Sequence, residues 1–284
     1  MNYKRHSSSR NFLNSFQVVL RSEGVDMKII TSIVLLTSFI AFTNAIFAGQ
    51  PFENIPAPYF VRINVATEGI PALFVSGGSL ISYQHVLCAG STLQPNNRVI
   101  NVHAGGNTRT SQRVFSTQRV IQHPQYLHNP RTNDIGIVVL AQTIRFDVLI
   151  RPIALPTDDK LFYLAENIQG VILGYGGNAM TNQQAGSETL EGAFVRVNNE
   201  TFCTSVYPNT SANSSFCAED FSRRSDFCQQ DIGGGFTVLH RGIEFLVGIA
   251  SMPRCFQSTA IPSLPSLYTR VMPYISWIRE ETGV

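Results

Sequence analysis

The segment CQQDIGGGF, at residues 228–236, has the composition of a loop that could support chemistry. It places the acid Asp231 beside Ile232 and a run of three glycines. Glycine is favoured where the backbone takes a positive φ or approaches another chain closely. The residue between the acid and the glycines, Ile232, has no lone pair to attack a carbonyl and no proton to give to a base. The segment therefore combines an acid and a flexible glycine run with a residue between them that is chemically inert.

This segment resembles the nucleophile loop of the chymotrypsin/trypsin-like serine proteases, whose pattern is CQGDSGGP. In that alignment Ile232 stands where the family has its nucleophilic serine. Six further segments resemble family motifs in the family's order, from about residue 46 to residue 277. They are SGGSLISYQHVLCAGST at 76–92, HPQYLHNPRTNDIGIVVL at 123–140, RPIALP at 151–156, LGYGG at 173–177, LVGIASMPRC at 246–255 and PSLYTRVMPYISWI at 265–278.

The resemblance implies an all-β fold of two antiparallel six-stranded β-barrels, chymotrypsin-like, with a C-terminal helix near residues 274–281. The expected protease domain is 46–284, with lobes at about 46–157 and 158–284. A chain of 284 residues has room for one such two-lobed domain with a sizeable core.

The resemblance also assigns the positions of the catalytic triad. In the family a serine attacks, a histidine takes its proton and an aspartate orients the histidine. Here the positions read Ile232, Ser91 and Asp134, so only the aspartate is kept. Loss of the serine or the histidine alone lowers turnover by on the order of 10⁶-fold, because the two act as a unit. The family cysteines that bracket the histidine segment fall on Ser76 and Thr92, which predicts that this disulfide is absent.

Other histidines are poor replacements for the missing base. A general base must lie within about 3 Å of the proton that it takes. His85 lies on the same segment as Ser91, and His103 and His123 belong to strands or strand ends. We interpret these three as surface histidines or as core histidines with satisfied hydrogen bonds.

The substrate-binding positions of the family are altered as well. The oxyanion-hole glycine is replaced by Gln230, whose backbone can turn the N–H away or whose side chain can fill the hole. Asp226 falls where an acid gives preference for Arg or Lys, and Phe227 follows it where trypsins have a small polar residue. The pocket-wall glycines fall on Pro253 and Ser266, and proline has no N–H to pair with an extended substrate. We interpret Asp226 as an inherited acid, now solvated or hydrogen-bonded; a ligand-binding role is the alternative.

Residues 1–45 are predicted to be a leader and signal peptide, with the signal core at 27–45. An apolar run of residues 29–42 follows Lys28 and ends in small residues, which is the pattern of a secretory signal. The run is too short for a membrane-spanning helix. We therefore predict a secreted, extracellular protein without a membrane segment; residues 1–26 are either a long leader or a gene-model artefact.

Family members mature by a cut before IVGG, and the freed ammonium pairs with the acid that precedes the serine. The matching segment here is IFAG at 46–49, with no Arg or Lys before it. Signal cleavage after Ala45 would itself expose Ile46, and the partner acid is kept as Asp231. We therefore expect an ion pair between Ile46 and Asp231 and maturation without a zymogen step.

All five cysteines lie in the expected domain, and secretion favours disulfides. By resemblance, Cys203 pairs with Cys217 and Cys228 pairs with Cys255. Cys88 is then left over: an interchain link and a reactive thiol are possible in principle, and we favour a buried, inert thiol.

Three glycosylation sequons cluster within 17 residues, on a segment that is a surface loop in the family. They begin at Asn199, Asn209 and Asn213. The cluster favours a glycoprotein.

Charge gives no sign of a nucleic-acid or membrane partner. Five of the 21 basic residues and two of the 19 acidic residues lie in residues 1–45, which leaves the expected domain with a net charge of −1. A near-neutral body has no electrostatic footprint for nucleic acid or anionic membrane. The segment 105–113, where calcium-binding relatives place acids, has none, so we predict no calcium site, no other metal and no cofactor.

The sequence thus favours a secreted, non-catalytic serine protease homologue that acts by binding a protein of unknown identity. Relatives with degenerate triads act as cofactors of protease cascades in arthropod haemolymph, or as binders in vertebrate plasma and granules. The resemblance implies a cofactor or decoy role of that kind. The alternative is an active trypsin-like endopeptidase with preference for Arg or Lys, which the fold and Asp226 suggest.

Overall fold

The computed structural model describes residues 50–51, 57–70, 73–94, 96–157, 167–176, 186–220, 226–253 and 264–284 of the 284-residue chain. A two-residue strand, β1 (Gln50–Pro51), comes first and pairs with the second of two barrels. The strands of the first barrel are β2 (Phe60–Thr67), β3 (Leu73–Leu80), β4 (His85–Cys88), β5 (Asn97–Ala104), β6 (Arg113–Gln122) and β7 (Gly136–Leu140).

The first barrel closes in the order β2-β3-β4-β7-β6-β5, with every pairing antiparallel. Alternate residues of β2 point into it: Val61, Ile63 and Val65 are fully buried. This period of two is what a strand with one face on the core requires. Closure removes free strand edges, so the barrel rigidly supports the turns at its ends.

The second barrel has the same form. Its strands are β8 (Gln169–Gly174), β9 (Glu191–Val197), β10 (Ser215–Glu219), β11 (Gly235–His240), β12 (Ile243–Met252) and β13 (Ser266–Arg270). They follow the order β9-β10-β13-β12-β11-β8, and pairing of β8 with β9 closes the ring. The predicted pair of antiparallel six-stranded barrels is therefore confirmed.

Two α-helices lie among the described residues of the second half. Helix α1 (Glu200–Val206) begins after Asn199, whose side chain accepts hydrogen bonds from the N–H groups of Thr201 and Phe202 at 2.8 and 3.4 Å. Such a cap satisfies donors that the first helical turn leaves open. Helix α2 (Ile275–Thr282) ends at Gly283, which has the left-handed φ of 73° that favours glycine at a helix end. It lies where the C-terminal helix was predicted.

A shared core joins the two barrels. Leu87 and Ile137 of the first barrel pack in one cluster with Leu173 and Leu246 of the second, and Ile278 of α2 covers this cluster. The site described below lies where this core reaches the surface, so both barrels fix its geometry.

One disulfide among the described residues links Cys203 of α1 to Cys217 of β10, and the predicted pairing is confirmed. Replacing both cysteines by alanine is expected to lower the free energy of unfolding by about 3 kcal/mol, because the bond closes a short loop in the unfolded chain. Chemical denaturation of the double variant, with Cys88→Ala as the matched control for loss of a buried thiol, checks this. An equal loss in both variants would contradict it.

Candidate functional site

The three triad positions meet between the barrels, each on a short turn. Ser91 lies in a 3₁₀ turn, Gly90–Leu93, that follows β4. Asp134 lies just before β7, and Ile232 follows a second 3₁₀ turn, Gln229–Asp231. Turns at barrel ends are where a rigid scaffold presents side chains that do chemistry.

Asp134 is buried, and its carboxylate accepts three hydrogen bonds from described residues. Its Oδ1 accepts the N–H of Ser91 at 2.6 Å, and its Oδ2 accepts the hydroxyls of Ser91 at 3.1 Å and Ser251 at 2.6 Å. Burial raises the pKa of this carboxyl, and Arg131, Ser251 and Ser91 draw it partly back. Ser251 was not predicted from the sequence; it lies in β12 and reaches Asp134 from the second barrel.

Ser91 thus occupies the place of a base that it cannot replace. Its hydroxyl donates to Asp134, and a hydroxyl takes up a proton only in strong acid. The arrangement fixes Ser91 without making it basic.

Arg131 occupies the substrate side of the same cleft. Its Nη1 donates to the carbonyl oxygen of Ser251 at 2.7 Å, and its Nε lies 4.0 Å from Oδ2 of Asp134. The register of β12 against β13 shifts between Ala250 and Met252, so Ser251 lies at an irregularity of the strand. The carbonyl of Ser251 is already bonded to Arg131.

The position before the glycines is packed rather than exposed for reaction. Ile232 is partly buried and contacts the shared core. Its carbonyl accepts the N–H of Gly77 at 2.8 Å and the hydroxyl of Ser76 at 2.6 Å. A side chain on Gly77 would lie 2.7 Å from the N of Gly234, so glycine is required where β3 meets this loop.

Ser76 and Thr92, which fall on family cysteine positions, face each other. Both are buried, and their hydroxyl oxygens lie 2.9 Å apart in a hydrogen bond. The pair replaces a covalent link with a polar contact at the same place.

Asp231 lies beneath the loop and is almost fully buried. Its Oδ1 accepts the N–H of Gly176 at 2.7 Å and its Oδ2 accepts the N–H of Cys228 at 3.0 Å. Burial raises the pKa of Asp231 to about 7, and the two backbone donors limit the rise. Side chains on Gly174 or Gly176 would strike the carboxylate, which explains glycine at both positions.

A cleft of about 260 Å³ opens beside these groups, with mixed polar and apolar walls. It is lined by Phe74, Val75, Ser76, Ser91, Thr92, Gln94, His128, Arg131, Gln229, Gln230 and Ile232. His128 was not weighed as a base from the sequence. Its Nδ1 lies 3.1 Å from Nε2 of Gln94 and 3.3 Å from the hydroxyl oxygen of Tyr126.

The comparisons with known proteins agree on the family. The family model described as Trypsin matches residues 46–278. The chain belongs to the trypsin family.

Individual relatives are similar over most of their length. Trypsin II-P29 of Gallus gallus is 30% identical over 239 residues, which cover 83% of this chain and 88% of that protein. Trypsin of Xenopus laevis is 26% identical over 89% of this chain and 98% of its own. The CLIP domain-containing serine protease B15 of Anopheles gambiae is 29% identical over 71% of this chain and 60% of its own.

A solved structure described as "Structure of GrC" shares the fold. It superposes with a TM-score of 0.70 at 21% identity, covering 84% of this chain and 99% of that one.

Phe227, at a position where trypsins have a small polar residue, is packed in the core of the second barrel. Phe227 is buried, and its ring packs edge-on against Tyr268 with centroids 5.2 Å apart. Two more rings, Phe216 and Phe236, extend the cluster around Tyr268. A side chain that trypsins keep small is therefore part of the core here.

Asp226 is hydrogen-bonded within the protein. It accepts the hydroxyl of Ser266 at 2.6 Å and the N–H of Phe227 at 2.8 Å. Burial raises the pKa of Asp226 to about 7. These contacts agree with the interpretation of Asp226 as an inherited acid that is hydrogen-bonded within the protein. Pro253, at the other wall, is half-buried.

The backbone N–H of Ile232 donates to the carbonyl oxygen of Gln229 at 3.4 Å, inside the 3₁₀ turn. Gln230, at the predicted oxyanion position, is partly buried. The side-chain oxygen of Gln230 lies close to Gly186, 3.0 Å from where a Cβ would stand.

The histidines weighed from the sequence have local partners. His85 Nδ1 lies 2.7 Å from the Ser82 hydroxyl, and His103 Nε2 lies 2.8 Å from Oδ1 of Asn101. Burial lowers the pKa of His103 to about 4. His123 packs edge-on against Trp277. These contacts are those of satisfied structural histidines.

The predicted ion pair and the second predicted disulfide each include a residue that the structure does not describe. Ile46 and Cys255 lie outside the described residues, so the pairs with Asp231 and Cys228 stay predictions. Cys88 is buried and free, and burial raises the pKa of its thiol. The sequon residues Asn199, Asn209 and Asn213 are all exposed.

Within the described ranges, no cluster of three or more His, Cys, Asp or Glu side chains is arranged to hold a metal ion. In the same part of the chain, no helix combines the length and the apolar character needed to cross a membrane.

The hydrogen bonds to Asp134 predict that its two serine partners contribute unequally to stability. Ser251→Ala is expected to lower the free energy of unfolding by about 1–3 kcal/mol, because a buried carboxylate loses a donor. Ser91→Ala is expected to have a smaller effect, since the Ser91 N–H still donates. Urea denaturation of both variants measures the difference, and a larger loss in the Ser91 variant would contradict the assignment.

Proposed function

We propose that this chain is a secreted, non-catalytic member of the trypsin family that acts by binding a protein partner. The observation that carries the proposal is what occupies the triad positions: Ser91 and Ser251 donate three hydrogen bonds to Asp134, and Ile232 takes the nucleophile position. No lone pair is available at Ile232 for attack, and the donors to Asp134 in the described part of the chain include no imidazole.

Substrate access supports the same proposal. An extended peptide would need the carbonyl of Ser251, which already accepts Arg131, and an N–H at Pro253, which proline lacks. A basic side chain would need the space that Phe227 fills against Tyr268. These three features oppose peptide threading independently of the triad.

The open part of the cleft is the partner surface that we favour. Phe74 and Ile232 supply apolar area there, and Gln229 is exposed beside them. Interfaces combine such apolar centres with polar rims. The loop that bears the exposed sequons is a poorer surface, because glycans on it would exclude a large partner.

From the sequence, Met252 and Arg254 at the rim of the former substrate cleft are expected to be exposed and to contact the partner. An exposed Met252 was expected, but Met252 is half-buried against the Cys203–Tyr207 cluster. Its neighbour Arg254 lies outside the described residues. The surface formed by Phe74, Gln229 and Ile232 takes their place in the proposal.

A role as cofactor or decoy in a proteolytic cascade belongs to the proposal. A CLIP domain-containing serine protease of Anopheles gambiae is among the relatives similar to this chain.

An activity assay tests the proposal that the protein is not a protease. The secreted protein is incubated with Arg/Lys peptide and ester substrates and with a serine-directed phosphonate. We expect hydrolysis at background and no labelled adduct. Hydrolysis that co-purifies with the protein would support the alternative, an active trypsin-like endopeptidase, and His128→Ala would then ask whether the cleft imidazole serves as the base.

A binding experiment tests the proposal that the cleft surface contacts the partner. The partner is identified by cross-linking in the native fluid, and its affinity is measured for Phe74→Ala/Gln229→Ala. We expect at least a tenfold loss, which corresponds to about 1.4 kcal/mol. Leu239→Ala, a change at a side chain that is 72% exposed on β11, is the matched control and should bind normally. Equal affinity of all three proteins would reject the cleft surface.

Secretion makes a prediction about the N-terminus. Signal cleavage is expected after Ala45, so mass spectrometry of the secreted protein should find Ile46 first, with glycan mass on residues 199–213. A mature protein that begins at Gly49 would remove the basis for an ion pair with Asp231.

A further inference from the structure

A loop of the first barrel, residues 105–112, is joined to the second barrel by backbone hydrogen bonds. We call it the Arg109 loop. The N–H of Arg109 donates to the carbonyl of Glu188 at 2.9 Å, and the N–H of Leu190 donates to the carbonyl of Asn107 at 2.7 Å. A β-bridge between Thr108 and Thr189 lies between these bonds. The side chain of Arg109 is thereby fixed against the second barrel.

The guanidinium of Arg109 lies over Tyr175. Its Cζ is 5.9 Å from the centre of the Tyr175 ring, and its Nη2 donates to the Tyr175 carbonyl at 2.8 Å. Gly186, with a φ of +59°, borders this contact, and a Cβ there would strike Nη2. The glycine therefore leaves the space that the guanidinium uses.

The peptide unit that accepts Arg109 is the one that holds Asp231. Its carbonyl, from Tyr175, accepts the guanidinium, and its N–H, from Gly176, donates to Oδ1 of Asp231 at 2.7 Å. A cation and an anion thus lie at opposite ends of one peptide dipole, and each strengthens the bond of the other. The carboxylate of Asp231 also acts directly on the charge of Arg109.

One further cation, Arg62, acts on Arg109, and the remaining charged groups among the described residues that act on this pair are acids. Glu188 lies near Arg109, while Glu191 and Asp226 act on Asp231 and disfavour its charge. A buried carboxylate among acids needs a compensating cation. Arg109 supplies one from the first barrel.

We propose that Arg109 is a positioning residue that holds Asp231, and with it the loop from Cys228 to Gly234, in its present conformation whether or not the chain has been cut before Ile46. This goes beyond the proposed function and does not depend on it. Its consequence is that the cleft surface exists in the uncut chain.

Hydrogen exchange before and after a cut tests the proposal. The full chain carries a specific protease site inserted directly before Ile46, and exchange of the Gly176, Cys228 and Gly233 amides is measured in both states. We expect the wild-type rates to agree within about twofold and Arg109→Met to exchange at least tenfold faster in both states. Arg113→Met, which removes an exposed ion pair with Asp147, is the matched control and should match the wild type.

Two results would overturn the proposal. One is a wild-type loop that gains tenfold protection only after the cut, since the new N-terminus would then be the required cation. The other is Arg109→Met with unchanged exchange.

The pKa of Asp231 gives a second readout, which a purely structural contact would not move. Carbon NMR of labelled aspartate should find the pKa of Asp231 raised by about one unit in Arg109→Met and near the wild-type value in Arg109→Lys. If Arg109→Met fails to fold, Gly186→Ala, which displaces the guanidinium and keeps its charge in the chain, should also raise this pKa. An unchanged pKa in the folded variants would reject the role of Arg109.

Discussion

Ile232→Ser is expected to leave hydrolysis of peptides and esters at background. The new hydroxyl would face Ser91, which cannot take its proton, and loss of the base alone lowers turnover by on the order of 10⁶-fold. Stopped and continuous assays with Arg/Lys substrates measure this, with Ile232→Ala as the control for loss of packing without a hydroxyl. Turnover in the serine variant above that of the alanine variant would contradict the prediction.

Adding Ser91→His to Ile232→Ser tests which other features oppose catalysis. The double variant restores the residue types of the triad, yet we expect it to remain far below active trypsins. Arg131 still donates to the Ser251 carbonyl, and Phe227 is still packed against Tyr268. Activity approaching that of a trypsin would show that the substrate positions are not blocked.

In the chain that has not been cut before Ile46, Asp231→Asn is expected to gain stability relative to the wild type as the pH rises. The pKa of Asp231 is about 7 in the folded protein against 3.8 ordinarily. Between about pH 4 and pH 7 the folded state therefore binds more protons than the unfolded state, so this group's contribution to stability is fully present below pH 4 and is lost as the pH rises through 7. A shift of three units corresponds to about 4 kcal/mol.

Comparing Asp231→Asn with the wild type separates the effect of Asp231 titration on stability from the effect of histidine titration. His103, with a pKa lowered to about 4, makes the opposite contribution, because its folded form resists protonation as the pH falls. Both proteins share that effect. Urea denaturation from pH 4 to pH 8 should show the difference in unfolding free energy moving by up to about 4 kcal/mol in favour of Asp231→Asn. A difference that stays constant with pH would mean that Asp231 titrates normally.

The sequence was sufficient for the fold because its information lay in long, ordered motifs. In several places the structure restricts which residue type can stand at a position. Examples are the buried alternation of β2, the close contact of Gly77 with Gly234, and the disulfide between Cys203 and Cys217. The positions of Ser91, Asp134 and Ile232 in one cleft follow from that fold.

Side-chain contacts between distant segments were not predictable in this way. Ser251 and Arg131 reach the same cleft from different barrels, and nothing in the spacing of either motif indicates their contacts. The Ser76–Thr92 bond is another case: the sequence predicted a missing disulfide, and only the structure shows what replaces it. Met252 was expected on the surface, and its burial could not be predicted because its packing partners come from α1, β10 and β13.

The burial of Phe227 limits the order in which substitutions can accumulate. Restoring a small residue there would empty part of an aromatic cluster, and truncation of a buried phenylalanine typically lowers stability by about 3–5 kcal/mol. A domain with a total stability of about 5–15 kcal/mol cannot absorb many such losses. Replacing Phe227 by a small residue would therefore remove a large share of the domain's stability unless other substitutions raised it, so burial in the aromatic cluster favours retention of this phenylalanine.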